Sequence, residues 1–360
     1  MRDLDRFMLL RLLEQFMLVL LFLVFMFFVA GYAFAATPLP QARHYALDAA
    51  GPQAAHTAQL MRIFLGVCTA VFVAILAGLA YVLWRGPRAG SDTPPDLSSV
   101  NRAEPRTRRN VTSAIAASVL LLLALIVSSV FTDRALARLP LVDAVNIEVT
   151  AHQWWWTARY VNGGPSDSFE TANEIHVPVG RPVVVKLKAD DVIHSLWVPN
   201  LAGKKDLIPG RTALMEFRAD QPGVYRGQCA EFCGYQHALM GLLVTADPPA
   251  RFDAWQQAQR APATQPADAR AQRGKMVFEA AACAMCHTIQ GTSAQGKHAP
   301  DLTHVASRQT LAAGTLPNNA QALGAWIANP QIFKPGTNMP KVPLSPPDLD
   351  AVVAYLGSLR

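Results

Sequence analysis

Charged residues are scarce in this chain, and hydrophobic residues are abundant. Asp, Glu, Lys and Arg together make up 16% of the 360 residues, whereas hydrophobic residues make up 51%. The formal net charge of +6 is small, and no stretch interleaves Lys and Arg with aromatic residues. Nucleic acid is therefore not an expected partner. A chain of this length and composition is expected to hold two or three domains, with part of the chain in a membrane.

Cysteine is also scarce, with five residues in the whole chain. Cys68 lies within an apolar run, where inert packing is its expected role. The other four form two close pairs, Cys229 with Cys233 and Cys283 with Cys286. A disulfide is the common use of such a pair in an exported protein. Here, however, a histidine follows each pair at a short spacing, which a disulfide does not need, so cofactor ligation is favoured.

The first long apolar run occupies residues 16–36. Three arginines precede it, and small residues end it before the sequence TPLP. This arrangement is typical of a secretory signal with a small-residue cleavage site. We therefore predict that residues 1–36 are a signal peptide or, because the run is long, an uncleaved anchor.

Two further apolar runs, at about 60–84 and 111–131, are each long enough to cross a bilayer as a helix. The loop between them, 85–110, holds six arginines. The positive-inside rule places this loop in the cytoplasm. Residues 37–140 are thus predicted to be a two-helix transmembrane region, with the rest of the chain on the outer side.

The pattern changes after the second of these helices. Between 141 and 248, short alternating or β-branched runs are separated by turn sequences such as NGGPSD and IPGR. Many short strands without helices between them predict a Greek-key sandwich or barrel. Residues 249–269, rich in Pro, Ala and Gln, predict a short helix and a linker. The helical patterns from 270 to 360 predict a small all-α domain.

The motif CAMCH, residues 283–287, has the spacing of a covalent heme site. Two thiols three positions apart can form thioether bonds to one heme, and the adjacent His287 can bind the iron. The second axial ligand should come from a distant segment. Met339 in KPGTNMP is the best candidate. A thioether ligand raises the heme potential, as a heme that accepts electrons requires. His298 and His304 are the alternatives.

The stretch GQCAEFCGYQHALM, residues 227–240, gathers ligands that suit copper in an electron-transfer site. A single blue-copper ion uses one cysteine, whereas two thiolates can bridge two copper ions, each with its own histidine. His237 supplies one imidazole, and His194 in DVIHSLWVP is the candidate for the other. Met240 and the carbonyl of Glu231 would be weak axial ligands. Tetrahedral zinc and a structural disulfide remain alternatives for this stretch.

At these residues the chain resembles subunit II of heme–copper cytochrome c oxidases, in the bacterial caa type that carries a fused cytochrome c. The resemblance covers nearly the whole chain. It includes HQWWW, DVIHSLWVP, KKDLIPGR and CAEFCGYQHALM, and then GKHAPDLTHVASR and KPGTNMP. It implies a multidomain membrane protein with two transmembrane helices, a cupredoxin-like β-sandwich and an all-α cytochrome c domain.

The resemblance also implies roles for individual residues. The ligands of a dinuclear copper A centre would be His194, Cys229, Glu231, Cys233, His237 and Met240. One covalently bound heme c would be held by Cys283, Cys286, His287 and Met339. Electrons would enter through Trp154 in HQWWW. Glu231 and Asp206 would hold a magnesium ion at the interface with the catalytic subunit.

The function implied is that of the subunit through which electrons enter a terminal respiratory oxidase in the bacterial inner (cell) membrane. Electrons from cytochrome c or the fused heme c would reach catalytic subunit I through copper A. There oxygen would be reduced to water, coupled to proton translocation. The implied partners are subunit I, other oxidase subunits, cytochrome c or another reduced donor, and membrane lipid. The alternatives are a copper A subunit of nitric oxide reductase and a membrane-tethered metallochaperone without covalent heme.

One segment departs from the family pattern. Many members carry a glutamate at the cytoplasmic start of the last membrane helix, near a proton path. Here this region is RTRRNVTSAI, and the nearest acid, Glu104, lies upstream. A role of this subunit in proton uptake is therefore not implied.

The two outer domains differ in charge. Residues 141–250 hold 9 Lys/Arg and 12 Asp/Glu, a net charge of −3, whereas residues 270–360 hold 8 and 4, a net charge of +4. Opposite charges suggest electrostatic docking of the heme domain on the copper domain, with the linker raising its local concentration.

Overall fold

A computed structural model of the chain describes residues 42–86, 104–161 and 167–360. The predicted signal peptide or anchor lies outside these residues, as does most of the predicted cytoplasmic loop. Within the described residues, three parts follow one another: a helical pair, a β-sandwich and a small helical domain. The predicted fold class is thereby confirmed.

The helical pair consists of α1 (Pro52–Arg85) and α2 (Pro105–Leu136). Both helices are long and apolar enough to cross a membrane. With 34 residues, α1 is about 50 Å long, longer than the hydrocarbon core of about 30 Å. Large apolar side chains such as Phe72 and Leu83 point outward from the pair. Such a surface suits lipid and would be unfavourable in water.

The β-sandwich has ten strands within the described residues. In chain order they are β1 (Val145–His152), β2 (Trp155–Tyr160), β3 (Phe169–Ala172), β4 (Glu174–Pro178), β5 (Pro182–Ala189), β6 (His194–Trp197), β7 (Lys205–Leu207), β8 (Ala213–Arg218), β9 (Gly223–Cys229) and β10 (Gly241–Asp247). One sheet has the order β3-β2-β1-β5-β8, and the other has the order β4-β10-β9-β6-β7. Neighbours are antiparallel except β1 with β5 and β10 with β4. This is a cupredoxin-like arrangement.

The core of the sandwich lies between the two sheets. In β1 every second residue is buried, because alternate side chains of a strand point to opposite faces. Ile147 and Trp156 of the first sheet are fully buried, and Leu196 and Leu242 of the second sheet belong to the same core. Phe252 of helix α3 (Pro249–Gln259) is buried in the same core.

The C-terminal domain contains α4 (Ala269–Ala280), α5 (Cys283–Cys286), α6 (Ala320–Ala328) and α7 (Pro346–Ser358). A two-stranded ribbon, β11 (Thr310–Leu311) with β12 (Leu316–Pro317), lies between α5 and α6. Side chains of Asp268, Asn319 and Ser345 accept hydrogen bonds at the N-termini of α4, α6 and α7. The domain has its own apolar core, which includes Phe278 and Tyr355.

Candidate metal centres

Two strands and one loop bring the sulfur and nitrogen donors of the copper domain together. His194 begins β6 and Cys229 ends β9; these strands are paired, with Leu196 opposite Cys229. The chain then turns back through Cys233 and a short 3-10 helix, His237–Leu239, before β10 begins. The donors that are distant in sequence are thus brought together at one end of the second sheet.

All six predicted copper ligands lie in this cluster. The Sγ atoms of Cys229 and Cys233 are 3.7 Å apart, too far for the disulfide bond of about 2.05 Å. His194 Nδ1 lies 3.8 Å from the sulfur of Cys229, and His237 Nδ1 lies 3.6 Å from the sulfur of Cys233. Each thiol thus has its own imidazole.

The two axial candidates are distributed in the same way. The carbonyl oxygen of Glu231 lies 3.2 Å from the sulfur of Cys229. Met240 Sδ lies 3.8 Å from the sulfur of Cys233, and the Met240 side chain is fully buried. The cluster therefore has one weak oxygen donor beside one thiol and one weak thioether beside the other.

The positions of the donors favour two metal ions over one. The donor atoms of His194, Cys229 and Cys233 all lie within 4.8 Å of one another, in a group that His237 does not join. In a tetrahedral zinc site with bonds of about 2.0–2.3 Å, all four donors are mutually closer than this. Two soft thiolates, each with a separate imidazole, fit a copper pair.

The two thiols share their protons unequally. The hydrogen bond between the two sulfurs, together with a hydrogen bond from His194, lowers the pKa of Cys229. The same hydrogen bond, together with burial, raises the pKa of Cys233. The pKa values of the two thiols are thus shifted in opposite directions, and a soft cation at this pair would bind two thiolates.

Asp191 orients the imidazole of His194. Its Oδ1 lies 2.8 Å from His194 Nε2, and the His194 side chain is fully buried. Burial lowers the pKa of His194, but the hydrogen bonds to Cys229 and Asp191 outweigh it, so the pKa is raised overall. In the neutral imidazole, Nε2 donates to the carboxylate and the Nδ1 lone pair faces the sulfur cluster, as a metal ligand requires.

Trp154 lies directly against the ligand loop. Its indole Nε1 donates to the carbonyl of Cys233 at 2.9 Å, and Gln153 Nε2 donates to the same oxygen at 2.8 Å. Gly234 has a positive φ of 109°, and a Cβ there would lie 3.1 Å from both Gln153 and Trp154. Glycine is thus needed for the close approach of the tryptophan.

The other two tryptophans of HQWWW have different surroundings. Trp156 is fully buried in the core of the sandwich. Trp155 stacks on His152, with ring centroids 4.2 Å apart. The three aromatic residues therefore do not form one surface, and only Trp154 contacts the ligand loop through a side-chain hydrogen bond among the contacts described.

The carboxylates predicted to hold magnesium lie near a lysine. Lys204 Nζ is 3.9 Å from Asp206 Oδ1 and 3.7 Å from Glu231 Oε2. All three side chains are about half exposed. A divalent cation at these carboxylates would have to displace the ammonium group, and the magnesium site stays a prediction.

The heme motif lies on α5 and the residue that follows it. His287 Nδ1 lies 2.7 Å from the carbonyl oxygen of Pro300, so Nδ1 carries the proton and Nε2 keeps a free lone pair. Burial lowers the pKa of His287, which keeps the imidazole neutral. Cys283 and Cys286 form no disulfide, and both side chains are half-buried. This donor set fits a covalently bound heme.

The candidates for the second axial heme ligand differ in their surroundings. Met339 is half-buried in the loop before α7. His298 is exposed. Both ring nitrogens of buried His304 lie 2.9 Å from carbonyl oxygens, those of Arg360 and Ala261. His304 is thus engaged in structural hydrogen bonds, and Met339 stays the predicted ligand.

Sequence reasoning missed two residues that the structure places at the copper cluster. Asp191 stands three residues before His194, and a carboxylate so close to a candidate ligand was a usable signal. Lys334 belongs to the heme domain, yet its Nζ donates to the carbonyl of Leu239, between His237 and Met240. No local pattern in KPGTNMP indicates this contact.

Comparisons with known proteins agree with this description. Residues 161–247 match the family described as "Cytochrome C oxidase subunit II, periplasmic domain", and residues 271–360 match the cytochrome c family. Cytochrome c oxidase subunit 2 of Alkalihalophilus pseudofirmus is 42% identical over 61% of this chain, and the match spans 62% of the relative's length. The subunit 2 of Bacillus sp. PS3 is 33% identical over 67% of this chain and 72% of its own.

A solved structure is also similar, that of the periplasmic domain of subunit II of cytochrome oxidase of Bradyrhizobium japonicum. The sequence identity is 30%, and the aligned region covers 32% of our chain and 93% of the Bradyrhizobium japonicum domain, with a TM-score of 0.31. The two matched families span residues 161–247 and 271–360, and the match with the relative from Bacillus sp. PS3 spans 67% of this chain and 72% of the relative. The chain therefore belongs to the cytochrome c oxidase subunit 2 family, in a form that carries a cytochrome c domain after the β-sandwich.

Proposed function

We propose that this chain is the subunit through which electrons enter a terminal respiratory oxidase. Electrons from cytochrome c or from the fused heme c pass through a dinuclear copper A centre to the catalytic subunit, which reduces oxygen to water and translocates protons. The observation that carries this proposal is the six-donor cluster, in which two thiols 3.7 Å apart each have a separate imidazole.

The protein's part at the copper cluster is to hold its donors in place. Cys229, Cys233, His194 and His237 would hold a copper pair, which would supply a one-electron carrier when bound. Cys229 and His194 stand on paired strands of the sandwich, and Asp191 fixes the His194 ring. Such preset ligand positions keep the cost of reorganisation small.

The heme domain holds its cofactor in a similar way. When bound, heme c supplies a one-electron carrier whose potential depends on its axial ligands. Cys283 and Cys286 would attach it, and the Pro300 carbonyl keeps His287 Nε2 available for the iron. Met339 would be the second axial ligand.

Two apolar side chains beside the copper cluster fit a partner subunit. Phe232 is 77% exposed and Tyr235 is 85% exposed, although both belong to the ligand loop. Exposed apolar groups next to a redox centre are typical of a surface that another protein covers. We assign this surface to the catalytic subunit, with Glu231 and Asp206 as the predicted magnesium ligands there.

The helical pair and the family support a membrane location. Two apolar helices anchor the chain, and the matched family model is that of a periplasmic domain. We place both metal domains on the periplasmic side of the bacterial inner membrane.

The test is to purify the intact complex and to measure oxygen consumption with reduced cytochrome c. Covalent heme on a denaturing gel, together with mixed-valence copper absorption, is expected. Nitric oxide reduction without oxygen consumption would favour the alternative reductase. Reversible copper binding without covalent heme would favour a metallochaperone.

Cys229→Ser supplies a sharper test of the copper ligands. We expect the copper absorption to disappear while the heme absorption stays, because the serine oxygen is a poor ligand for a soft metal. Cys68→Ser is the matched control, since Cys68 is exposed on a membrane helix. A normal mixed-valence signal in the Cys229 variant would refute the assignment.

A further inference from the structure

Lys334 is a buried lysine at the contact between the heme domain and the copper domain. It is 3% exposed and lies in the segment of the heme domain that leads to Met339. Its Nζ donates to the carbonyl oxygens of Trp154 at 2.8 Å and Leu239 at 2.9 Å, and a third bond reaches Ala312 at 3.5 Å. Two of these three acceptors belong to the other domain.

The two acceptor carbonyls on the copper domain belong to Trp154, which contacts the ligand loop, and to Leu239, which lies within that loop. Trp154 makes one hydrogen bond through its main chain and one through its side chain. Its carbonyl accepts from Lys334, and its indole donates to the carbonyl of Cys233 at 2.9 Å. Leu239 stands between the candidate ligands His237 and Met240. One ammonium group thus joins the tryptophan segment and the ligand loop to the heme domain.

Neighbouring hydrogen bonds support the same contact. Gln236 Nε2, on the ligand loop, donates to the carbonyl of Pro335. The amide of Gly241 donates to the carbonyl of Ala313 at 3.0 Å. The heme-domain segments 312–314 and 334–335 therefore lie on the residues that flank the candidate copper ligands.

We propose that Lys334 is a positioning residue that fixes the heme domain on the copper cluster for electron transfer within the chain. A buried ammonium group is costly unless hydrogen bonds compensate for its lost hydration. Only the docked arrangement supplies the carbonyls of Trp154 and Leu239, so the lysine specifies this one arrangement. The inference rests on the proposed function, since it takes the two clusters to be the copper and heme sites.

A consequence concerns the electron donor. In the docked arrangement the Trp154 carbonyl accepts a hydrogen bond from Lys334, so the heme domain occupies one side of the segment predicted to take up electrons. We therefore expect a separate donor protein to deliver its electron to the heme domain, from which the electron reaches the copper cluster through the cis contact.

The first experiment uses the wild-type complex and an amine-acylating reagent, with labelling of each lysine followed by mass spectrometry. Lys341, which is exposed and lies seven residues further along the same loop, is the internal reference. Lys334 should be labelled at least about tenfold more slowly, because its Nζ is buried and hydrogen-bonded. Equal labelling rates would overturn the proposal without any variant being made.

The second experiment compares Lys334→Met with Lys341→Met in the intact complex. Methionine keeps a long apolar side chain and removes the charge and the donors. We expect both absorption spectra to stay normal in Lys334→Met. We also expect the Gly241 amide to exchange its hydrogen faster, and heme-to-copper transfer after photoreduction of the heme to slow by about tenfold or more. Lys341→Met should match the wild type.

The outcomes separate this inference from the proposed function. If Lys334→Met keeps both spectra and leaves Gly241 exchange and the transfer rate unchanged, the positioning role is wrong and the proposed function stands. If the wild-type complex lacks covalent heme or copper, the proposed function fails first. If the variant does not assemble, the lysine labelling of the wild type decides.

Discussion

At the scale of single residues, His176 shows how a buried charge is held inside the copper domain. Its Nδ1 lies 2.6 Å from Asp247 Oδ2 and its Nε2 lies 3.0 Å from Glu174 Oε1. The ring stacks on Trp255 with centroids 4.2 Å apart. Burial lowers the pKa of His176, but the hydrogen bonds to Asp247 and Glu174 outweigh it, so the pKa is raised overall.

This raised pKa predicts a pH dependence of stability. A histidine whose folded pKa exceeds its unfolded value of about 6.5 stabilises the fold fully below that value. The contribution is lost as the pH rises through the folded pKa. We therefore expect the thermal midpoint of the copper domain to fall as the pH is raised from about 6 to 8.

Two variants check this expectation. His176→Gln should lower the midpoint and flatten its pH dependence, because the imidazolium that neutralises two buried carboxylates is gone. His298→Gln, at an exposed position, should keep the wild-type profile. An unchanged pH slope in His176→Gln would show that another group is responsible.

The hydrogen bond from His194 to Asp191 leads to a second prediction about a single residue, which concerns copper affinity. Asp191→Asn should lower the copper affinity by about 10–100-fold, because the carboxylate that orients the His194 ring is lost. Asp190→Asn is the matched control, since the neighbouring Asp190 is exposed and pairs with His152 instead. Copper titration followed by absorption measures both. Equal affinities of the two variants would remove Asp191 from the site.

Candidate copper ligands could be proposed from the sequence because thiol, imidazole and thioether groups of this number at this spacing are rare. Asp191 and Lys334 are different, because carboxylates and lysines are common on any surface. Their roles arise only where the strands and the docked heme domain place them. The sequence therefore indicates the candidate metal-binding groups, but not the groups that hold these candidate ligands in position.

At the scale of elements, membrane helix α1 begins before the apolar run that predicts it. The run starts at about residue 60, whereas the helix starts at Pro52. Gln53, Ala54 and Ala58 in the extra turns are buried, and the amide of Ala54 donates to the carbonyl of Leu201. These turns pack against the copper domain, so they do not need an apolar composition. The hydropathy of the sequence therefore predicts only the part of α1 that is suited to lipid.

The close contact between helices α4 and α7 of the heme domain allows the effect of a glycine substitution to be predicted. A Cβ at Gly274 would overlap the carbonyl of Ala351, which lies in the facing helix. Gly274→Ala should therefore destabilise the heme domain by about 1–3 kcal/mol, since main-chain atoms must move apart. Thermal unfolding followed by heme absorption measures the change.

The control for this substitution lies in α7 itself. A Cβ at Gly357 meets nothing within 4 Å. Gly357→Ala should leave the domain unchanged or stabilise it by up to about 1 kcal/mol, because alanine favours the helix. If both variants lost stability equally, helix–helix contact at Gly274 would not be the cause.

At the scale of the whole molecule, hydrogen bonds join the heme domain to the copper domain. The opposite net charges of the two domains do not indicate these bonds. Lys334 donates to carbonyl oxygens, and the Gly241 amide donates to the carbonyl of Ala313. On another part of the contact, the amide of Gln309 donates to Glu174 at 2.9 Å, and its side chain donates to Thr245. The sequence predicts the opposite charges of the domains but not these pairings, which depend on folded loops.

This contact predicts how electron transfer within the chain responds to salt. Raising the ionic strength from 0.1 to 1 M shortens the screening length from about 10 Å to about 3 Å. Buried hydrogen bonds are screened little, so the heme-to-copper rate should change by less than about twofold. Reduction of the heme domain by a separate cytochrome c should slow steeply over the same range, because charge steers that encounter.

Both rates can be measured in one preparation, the first by photoreduction of the heme and the second by stopped flow. The bimolecular step is then the internal control, since it shows that the salt reaches and screens the protein surface. A parallel fall of both rates would mean that the opposite domain charges, −3 and +4, hold the heme domain in place. A constant cis rate beside a falling donor rate would mean that buried hydrogen bonds such as those of Lys334 hold it.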